Sequence, residues 1–176
     1  MLEDKVLVAY GSKYGSTKEI AERIGEVLQD AGLQADVKSA DQAGDISSYG
    51  AFVVGSGVYI GLWQKDAVKF VLANEAALAS KPVWFFSSGP TGEHEKVENA
   101  FMSGELLPKK LQDESARIKP RDVIIFKGAV ESEKLKGFAK WIIKKVEASK
   151  DEPTIGDFRD WEAIESWAKQ IAAALT

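Results

Sequence analysis

The sequence is most informative at Lys5-Val-Leu-Val-Ala-Tyr-Gly-Ser-Lys-Tyr-Gly-Ser-Thr17. The first half of this stretch is a short apolar run, which is typical of a strand buried in a parallel sheet. The second half combines glycines with Ser and Thr hydroxyls, and apolar residues at helical spacing follow over 16–31. Hydroxyls and backbone N–H groups at a helix start suit a phosphate, because the helix dipole places partial positive charge there.

A simpler interpretation of the same loop is that Ser16 or Thr17 only caps the helix, with Glu19 completing a capping box. The loop lacks the Gly-Lys-Ser/Thr ending of a nucleotide-triphosphate P-loop, and it lacks the G-x-G-x-x-G dinucleotide fingerprint. On the residues alone, both the phosphate site and the plain helix cap stay open.

Strand-like and helix-like segments alternate along the rest of the chain. Further apolar runs predict strands at 35–38, 51–55, 82–87 and 122–129. Helical spacing predicts helices at 64–79, at about 94–112 and from Asp160 onward. This alternation predicts an α/β fold with a doubly wound, five-stranded parallel sheet covered by helices on both faces.

We expect a single domain over 1–176 that carries an insertion at about 131–158. The insertion is inferred because two to six residues normally suffice to connect a strand to the following helix. Residues 131–150 hold more lysines than glutamates, and at helical spacing they form an apolar stripe of Leu135, Phe138, Ile142 and Val146. Lys136, Lys140 and Lys144 form another stripe, and Trp141 interrupts the polar side between Lys134 and Lys145.

A basic amphipathic helix of this kind can lie on an anionic membrane or dock a partner helix. The plain alternative is a surface helix that packs on its own domain and leaves its lysines solvated. The residues of the insertion therefore predict either peripheral membrane contact through 131–150 or an ordinary solvated face.

Composition narrows the classes of function. The 176 residues are 45 % hydrophobic and 28 % charged, as in ordinary globular proteins. A net charge of −4 argues against a general nucleic-acid binder. The chain has no cysteine, and His94 is its single histidine, so disulfides, thiolate catalysis and multi-histidine metal sites are excluded. We predict no metal and no catalytic acid or base.

The chain start and its hydropathy bear on location. Met1-Leu-Glu-Asp-Lys5 is charged and unlike a signal peptide. The sequence has no run of about 18 apolar residues, the length that a membrane-spanning helix needs. We expect a cytoplasmic protein.

Two more glycine-rich loops follow predicted strands, and ligands of doubly wound sheets bind at these strand ends. The first is Gly55-Ser-Gly-Val-Tyr-Ile-Gly-Leu-Trp63, whose glycines admit a planar ligand and whose aromatic rings can stack on it. Its glycine spacing also suits a nicotinamide site, but that motif belongs after the first strand. Trp63 is either a stacking residue or a core residue. The second loop, Ser87-Ser-Gly-Pro-Thr-Gly92, is either a ring-binding loop or an ordinary turn.

Taken together, the three loops resemble those of the flavodoxin family. The most specific match is Ser12-Lys-Tyr-Gly-Ser-Thr17, which resembles the family's hydroxyl-x-x-Gly-x-Thr phosphate loop. The resemblance implies a flavodoxin-like sheet of strand order 2-1-3-4-5 and an FMN cofactor. It implies that FMN is bound by Ser12, Lys13, Tyr14, Gly15, Ser16, Thr17, Ser56, Gly57, Val58, Tyr59, Ile60, Gly61, Ser87, Ser88, Gly89 and Gly92.

A narrower resemblance is to the flavodoxin-like, menaquinone-dependent protoporphyrinogen oxidases. It rests on Gly128-Ala129, on the insertion and on Asp160-Trp161-Glu162. It implies an oxidoreductase of heme biosynthesis that passes electrons from a porphyrinogen to a quinone, peripherally at the inner face of the membrane. The alternative is a soluble electron-transfer flavodoxin that serves a redox partner protein. The lack of an aromatic residue in the third loop and the long cationic insertion favour the oxidoreductase. Tyr14 stands where carrier flavodoxins commonly have Thr, so one hydroxyl contact to the phosphate is altered or lost.

Overall fold

The computed structural model describes residues 5–59, 62–89, 113, 116–134, 136–137, 140–141, 144–145 and 156–176. Several sequence predictions concern residues outside these ranges: the helix at about 94–112, His94, the apolar stripe of the insertion, and the site residues Ile60, Gly61 and Gly92.

A parallel sheet forms the centre of the fold. Its strands lie in the order β2-β1-β3-β5-β6 and comprise β1 (Lys5–Gly11), β2 (Gln34–Ser39), β3 (Ala51–Tyr59), β5 (Val83–Gly89) and β6 (Asp122–Lys127). The two-residue strand β4 (Leu62–Trp63) pairs antiparallel with the end of β3 and is not part of this parallel order. Without β4 the order is 2-1-3-4-5, so the predicted topology is confirmed.

The described α-helices are α1 (Ser16–Asp30), α2 (Lys65–Ala73), α3 (Glu75–Ala79) and α4 (Trp161–Leu175). The prediction of one continuous helix over 64–79 is wrong, because the helix is divided at Asn74. The Asn74 side-chain amide donates to the Phe70 carbonyl at 2.8 Å and so competes with the helical backbone for that acceptor. The predicted cap of the last helix is present, since the Asp160 carboxylate accepts from the Ala163 N–H.

The sheet has a separate apolar core on each face. Successive residues of β1 alternate between the two cores, because side chains on a strand point to opposite faces. Val6 and Val8 pack with α1 and α4, whereas Leu7 and Ala9 pack with α2 and α3. The predicted arrangement of helices on both faces is therefore confirmed.

The insertion begins and ends on a small antiparallel ladder. Its strands are β7 (Ala129–Val130) and β8 (Gly156–Asp157), in which Val130 is the partner of Gly156. The predicted strand 122–129 is thus shorter than expected, ending at Lys127, and β7 belongs to this second sheet. Residues 140–141 and 144–145 are helical. No helix in the described part of the chain is long and apolar enough to cross a bilayer.

Candidate functional site

The carboxyl ends of three central strands meet at one edge of the sheet. In register, Gly11 of β1 lies beside Ser56 of β3, and Ser56 lies beside Ser87 of β5. A cleft opens at this edge. The predicted site residues that line it are Ser12, Lys13, Tyr14, Ser16, Thr17, Gly57, Val58, Ser88 and Gly89. All three predicted loops therefore contribute to a single cleft.

The start of α1 is shaped by glycine and not by a hydroxyl cap. Gly15 is the N-cap residue, and its φ of 91° is a left-handed conformation that side chains other than glycine rarely adopt. The Ser12 hydroxyl accepts from the Gly15 N–H at 3.0 Å, and this bond closes the loop. No side chain caps α1, so the capping-box interpretation is wrong. The first N–H groups of α1 consequently lack acceptors within the helix.

Two buried hydroxyl groups at the cleft have no hydrogen-bond partner within the described residues. Thr17 is 3 % exposed and Ser88 is 4 % exposed, and both line the cleft. A Cβ atom added at Gly57 would lie 2.9 Å from the Thr17 hydroxyl oxygen, so glycine leaves the space in front of it open. Because an unpaired buried hydroxyl is costly, these two groups point to a polar ligand in the cleft.

Ser56 and Ser87, by contrast, use their hydroxyls within the protein. The Ser56 hydroxyl donates to the Gly57 carbonyl and accepts from the Gln64 N–H. The Ser87 hydroxyl accepts from the indole N–H of Trp63 at 2.8 Å. Trp63 is buried and packs edge-on against Phe85, which makes it a core residue. The binding roles of Ser56 and Ser87 remain predictions, as does that of Tyr59, the last residue of β3.

Four residues that were not predicted as site residues also line the cleft: Gln64, Gly128, Ala129 and Val130. Gly128 is buried, and a Cβ atom there would lie 3.3 Å from the Ser88 hydroxyl oxygen. The Ala129 N–H donates to the Ser16 hydroxyl at 3.0 Å, which joins β7 to the start of α1. Gly128-Ala129 lies at the end of a predicted strand, and this position could have indicated from the sequence that the two residues line the cleft.

Beside this cleft, the guanidinium of Arg159 pairs with two carboxylates. Arg159 donates to Asp157, to Glu19 and to the Ser16 carbonyl, and its guanidinium lies 4.7 Å from the Trp161 ring centre. Hydrogen bonding to Asp157 is the main cause that raises the pKa of Arg159. The same bond lowers the pKa of Asp157. Arg159 and Asp157 are therefore both charged at neutral pH.

A model of the flavodoxin domain family matches residues 7–156. The chain belongs to the flavodoxin domain family. Protoporphyrinogen IX dehydrogenase (quinone) of Escherichia coli strain K12 is 23 % identical, over 96 % of this chain and 94 % of that protein.

Solved structures show the same fold at low sequence identity. A flavodoxin from the domain Archaea is 18 % identical with a TM-score of 0.57, over 97 % of this chain and 98 % of that one. Rubredoxin:oxygen oxidoreductase of Desulfovibrio gigas is 19 % identical with a TM-score of 0.62, over 98 % of this chain. The match spans 36 % of that oxidoreductase, so only the shared fold follows from it.

FMN is the cofactor of the flavodoxin family, and the residues at the cleft fit it. A phosphate would accept from the N–H groups at the start of α1 and from the Thr17 hydroxyl, which the described residues leave without an acceptor or partner. Gly57 and Gly128 keep the cleft open where a side chain would fill it. The protein is a flavodoxin-type FMN flavoprotein with a redox role.

Proposed function

We propose that this protein is an FMN-dependent oxidoreductase that oxidises a porphyrinogen, with protoporphyrinogen as the first candidate, and passes the electrons to a quinone. The observation that carries the proposal is the match to the E. coli dehydrogenase, which covers 96 % of this chain and 94 % of that protein. A match of that length takes in the insertion between β7 and β8 as well as the flavodoxin core.

In this proposal the cofactor supplies the electron transfer, and the chain binds and orients it. The start of α1 and the Thr17 hydroxyl hold the phosphate. Ser88 and Gly89, at the end of β5, lie beside the flavin ring together with Gly57 and Val58 of β3. The Ser88 hydroxyl has no partner within the described residues, and it is positioned to bond to a polar edge of the ring.

The insertion is proposed to bring the protein to the membrane that holds the quinone. Trp141 is 56 % exposed, and the Lys145 ammonium lies 5.0 Å from its ring centre. Lys140 and Lys144 are exposed on the same segment. An exposed tryptophan among lysines suits an anionic lipid surface, where the ring enters the interface and the ammonium groups meet phosphates.

A second candidate function is a soluble electron carrier with no substrate of its own. Full-length similarity to a small flavodoxin, over 97 % of this chain and 98 % of the archaeal one, favours it. The two candidates differ in whether the protein alone turns over a porphyrinogen.

The test is anaerobic oxidation of protoporphyrinogen by the purified holoprotein, with a menaquinone in anionic vesicles as the acceptor and porphyrin fluorescence as the readout. The proposal expects catalytic turnover that stops when the quinone is omitted. A protein that binds FMN and exchanges electrons with a flavodoxin reductase, yet oxidises no porphyrinogen, would establish the carrier instead.

The membrane step is tested separately by a Lys140→Glu, Lys144→Glu variant. We expect lower binding to anionic vesicles and slower quinone-dependent turnover, with unchanged turnover toward a water-soluble acceptor. The matched control is Lys65→Glu, Lys69→Glu, which makes the same charge change at exposed positions of α2. Equal behaviour of the two variants on vesicles would contradict the role of the insertion.

A further inference from the structure

The first turn of α1 contains a carboxylate at the end of the helix that faces the proposed phosphate. Glu19 lies in that turn, and its N–H donates to the Gly15 carbonyl. A negative side chain there stabilises the helix through the dipole, but it repels an anionic ligand at the same helix end. A cationic group that offsets the charge of Glu19 would therefore favour phosphate binding.

Arg159 is the group that meets Glu19. Its side chain is 8 % exposed and donates to the Glu19 carboxylate and, at 3.4 Å, to the Ser16 carbonyl. The guanidinium is held from the other side by Asp157, with bonds of 2.9 and 2.6 Å to the two carboxylate oxygens. The Trp161 ring lies 4.7 Å away. Arg159 is therefore fixed in one place.

Both strands of the ladder beneath the insertion are linked to the start of α1, β7 directly and β8 through Arg159. β7 is linked through the Ala129 N–H, which donates to the Ser16 hydroxyl at 3.0 Å. β8 is linked through Asp157, which holds Arg159 against Glu19. The base of the insertion thus belongs to the same contact network as the phosphate loop.

We propose that Arg159 is a positioning residue for the flavin phosphate, which holds Glu19 neutralised and fixes the start of α1. The proposal rests on the assignment of the phosphate to this loop. Arg159 lies outside the three loops, just after β8, where the insertion rejoins the core. Any shift of the ladder that loosens Arg159 will weaken phosphate binding, and bound phosphate will in turn hold the ladder.

The test compares FMN with riboflavin, which carries the same ring without a phosphate. In Arg159→Met the Glu19 carboxylate loses the guanidinium that pairs with it, and a negative charge in the first turn of α1 disfavours an anionic ligand at that helix end. We expect FMN affinity to fall about tenfold and riboflavin affinity to change less than twofold. A residue with only a structural role would weaken both flavins equally.

Two further variants separate charge from packing. Arg159→Met, Glu19→Gln removes the guanidinium together with the carboxylate in the first turn of α1 and leaves only Asp157 of the cluster, on β8, charged, and we expect it to recover most of the FMN affinity. Glu19→Gln alone should change the FMN-to-riboflavin affinity ratio less than twofold, because Arg159 already offsets that charge. The matched control is Arg23→Met, which removes an arginine on α1 that pairs with Glu26 and Glu165. It should leave the ratio unchanged.

The outcomes are distinguishable. An unchanged ratio in Arg159→Met, in a protein whose wild type binds both flavins, would overturn the role of Arg159 and leave the cofactor assignment standing. A wild type that binds no FMN would overturn both. If Arg159→Met does not fold, Glu19→Gln decides: a ratio that rises severalfold would show that Arg159 does not offset Glu19 and would overturn the proposal.

Discussion

Replacing Thr17 by valine distinguishes two effects of its buried hydroxyl: its cost to the stability of the flavin-free protein and its contribution to FMN binding. Valine keeps the shape of threonine and exchanges the hydroxyl for a methyl group. Thr17 is 3 % exposed, and its hydroxyl has no partner within the described residues. Without flavin, the variant therefore loses no hydrogen bond to the described residues and is relieved of a buried polar group. We expect the flavin-free protein to gain about 1 kcal/mol in free energy of unfolding.

The bound state should respond in the opposite direction. A hydrogen bond from the Thr17 hydroxyl to a charged phosphate contributes about 1–3 kcal/mol, so FMN affinity should fall by about 5- to 150-fold. The assays are urea unfolding of the flavin-free protein and titration of FMN by quenching of its fluorescence.

Ser87→Ala is the contrasting control for Thr17→Val. The Ser87 hydroxyl is already used, because it accepts from the buried Trp63 indole N–H. Its removal leaves that N–H unpaired and should cost about 1–3 kcal/mol of unfolding free energy without flavin. A Thr17→Val variant that is destabilised like Ser87→Ala, and that binds FMN as the wild type does, would refute the reasoning.

Three further substitutions test the fold around the site. Gly55→Ala should destabilise the protein by about 1–3 kcal/mol in urea unfolding, because the new Cβ would lie 2.0 Å from the Phe86 ring. Gly15→Ala places alanine at a φ of 91° and should cost about 1–2 kcal/mol together with FMN affinity, measured in the same two assays. Burial, reinforced by the bond to Asp36, raises the pKa of Tyr49 to about 12, above its unfolded value of about 10. The stability this provides is present below about pH 10 and is lost as the pH rises through about 12, so Tyr49→Phe should flatten that part of the pH–stability curve.

The parallel sheet was predictable because its strands are continuous apolar runs. A strand buried on both faces needs apolar side chains at every position, and Val6 to Ala9 meet that condition. The ends of β3 and β5 were harder to predict. β3 continues through glycine and serine to Tyr59, and β5 continues through serine to Gly89. These small and polar residues do not indicate a buried strand in the sequence. The extended backbone follows from the pairing of the two strands with each other.

The glycine- and hydroxyl-rich loop between β1 and α1 was predictable from local chemistry, but the distant residues that pack against it were not. Hydroxyls and glycines near Gly15 are adjacent in sequence, so their pattern can be interpreted directly. Gly128 and Arg159 reach the same region from more than a hundred residues away, through the order of strands and the return of the chain at β8. Trp63 was ambiguous for a related reason, since its hydrogen bond to Ser87 connects two different strands.

Because β7 and β8 pair with each other, the insertion between them can be replaced by another segment. Val130 and Gly156 are cross-strand partners, so the chain that leaves the core at one returns to it at the other. Two such neighbours can also be joined by a tight two-residue turn such as Asn-Gly, without moving either strand. Long and short connections at this point differ by only about 2 kcal/mol in closure entropy, which grows with the logarithm of length. Evolution or design can therefore exchange what lies between them while the flavin-binding core keeps its shape.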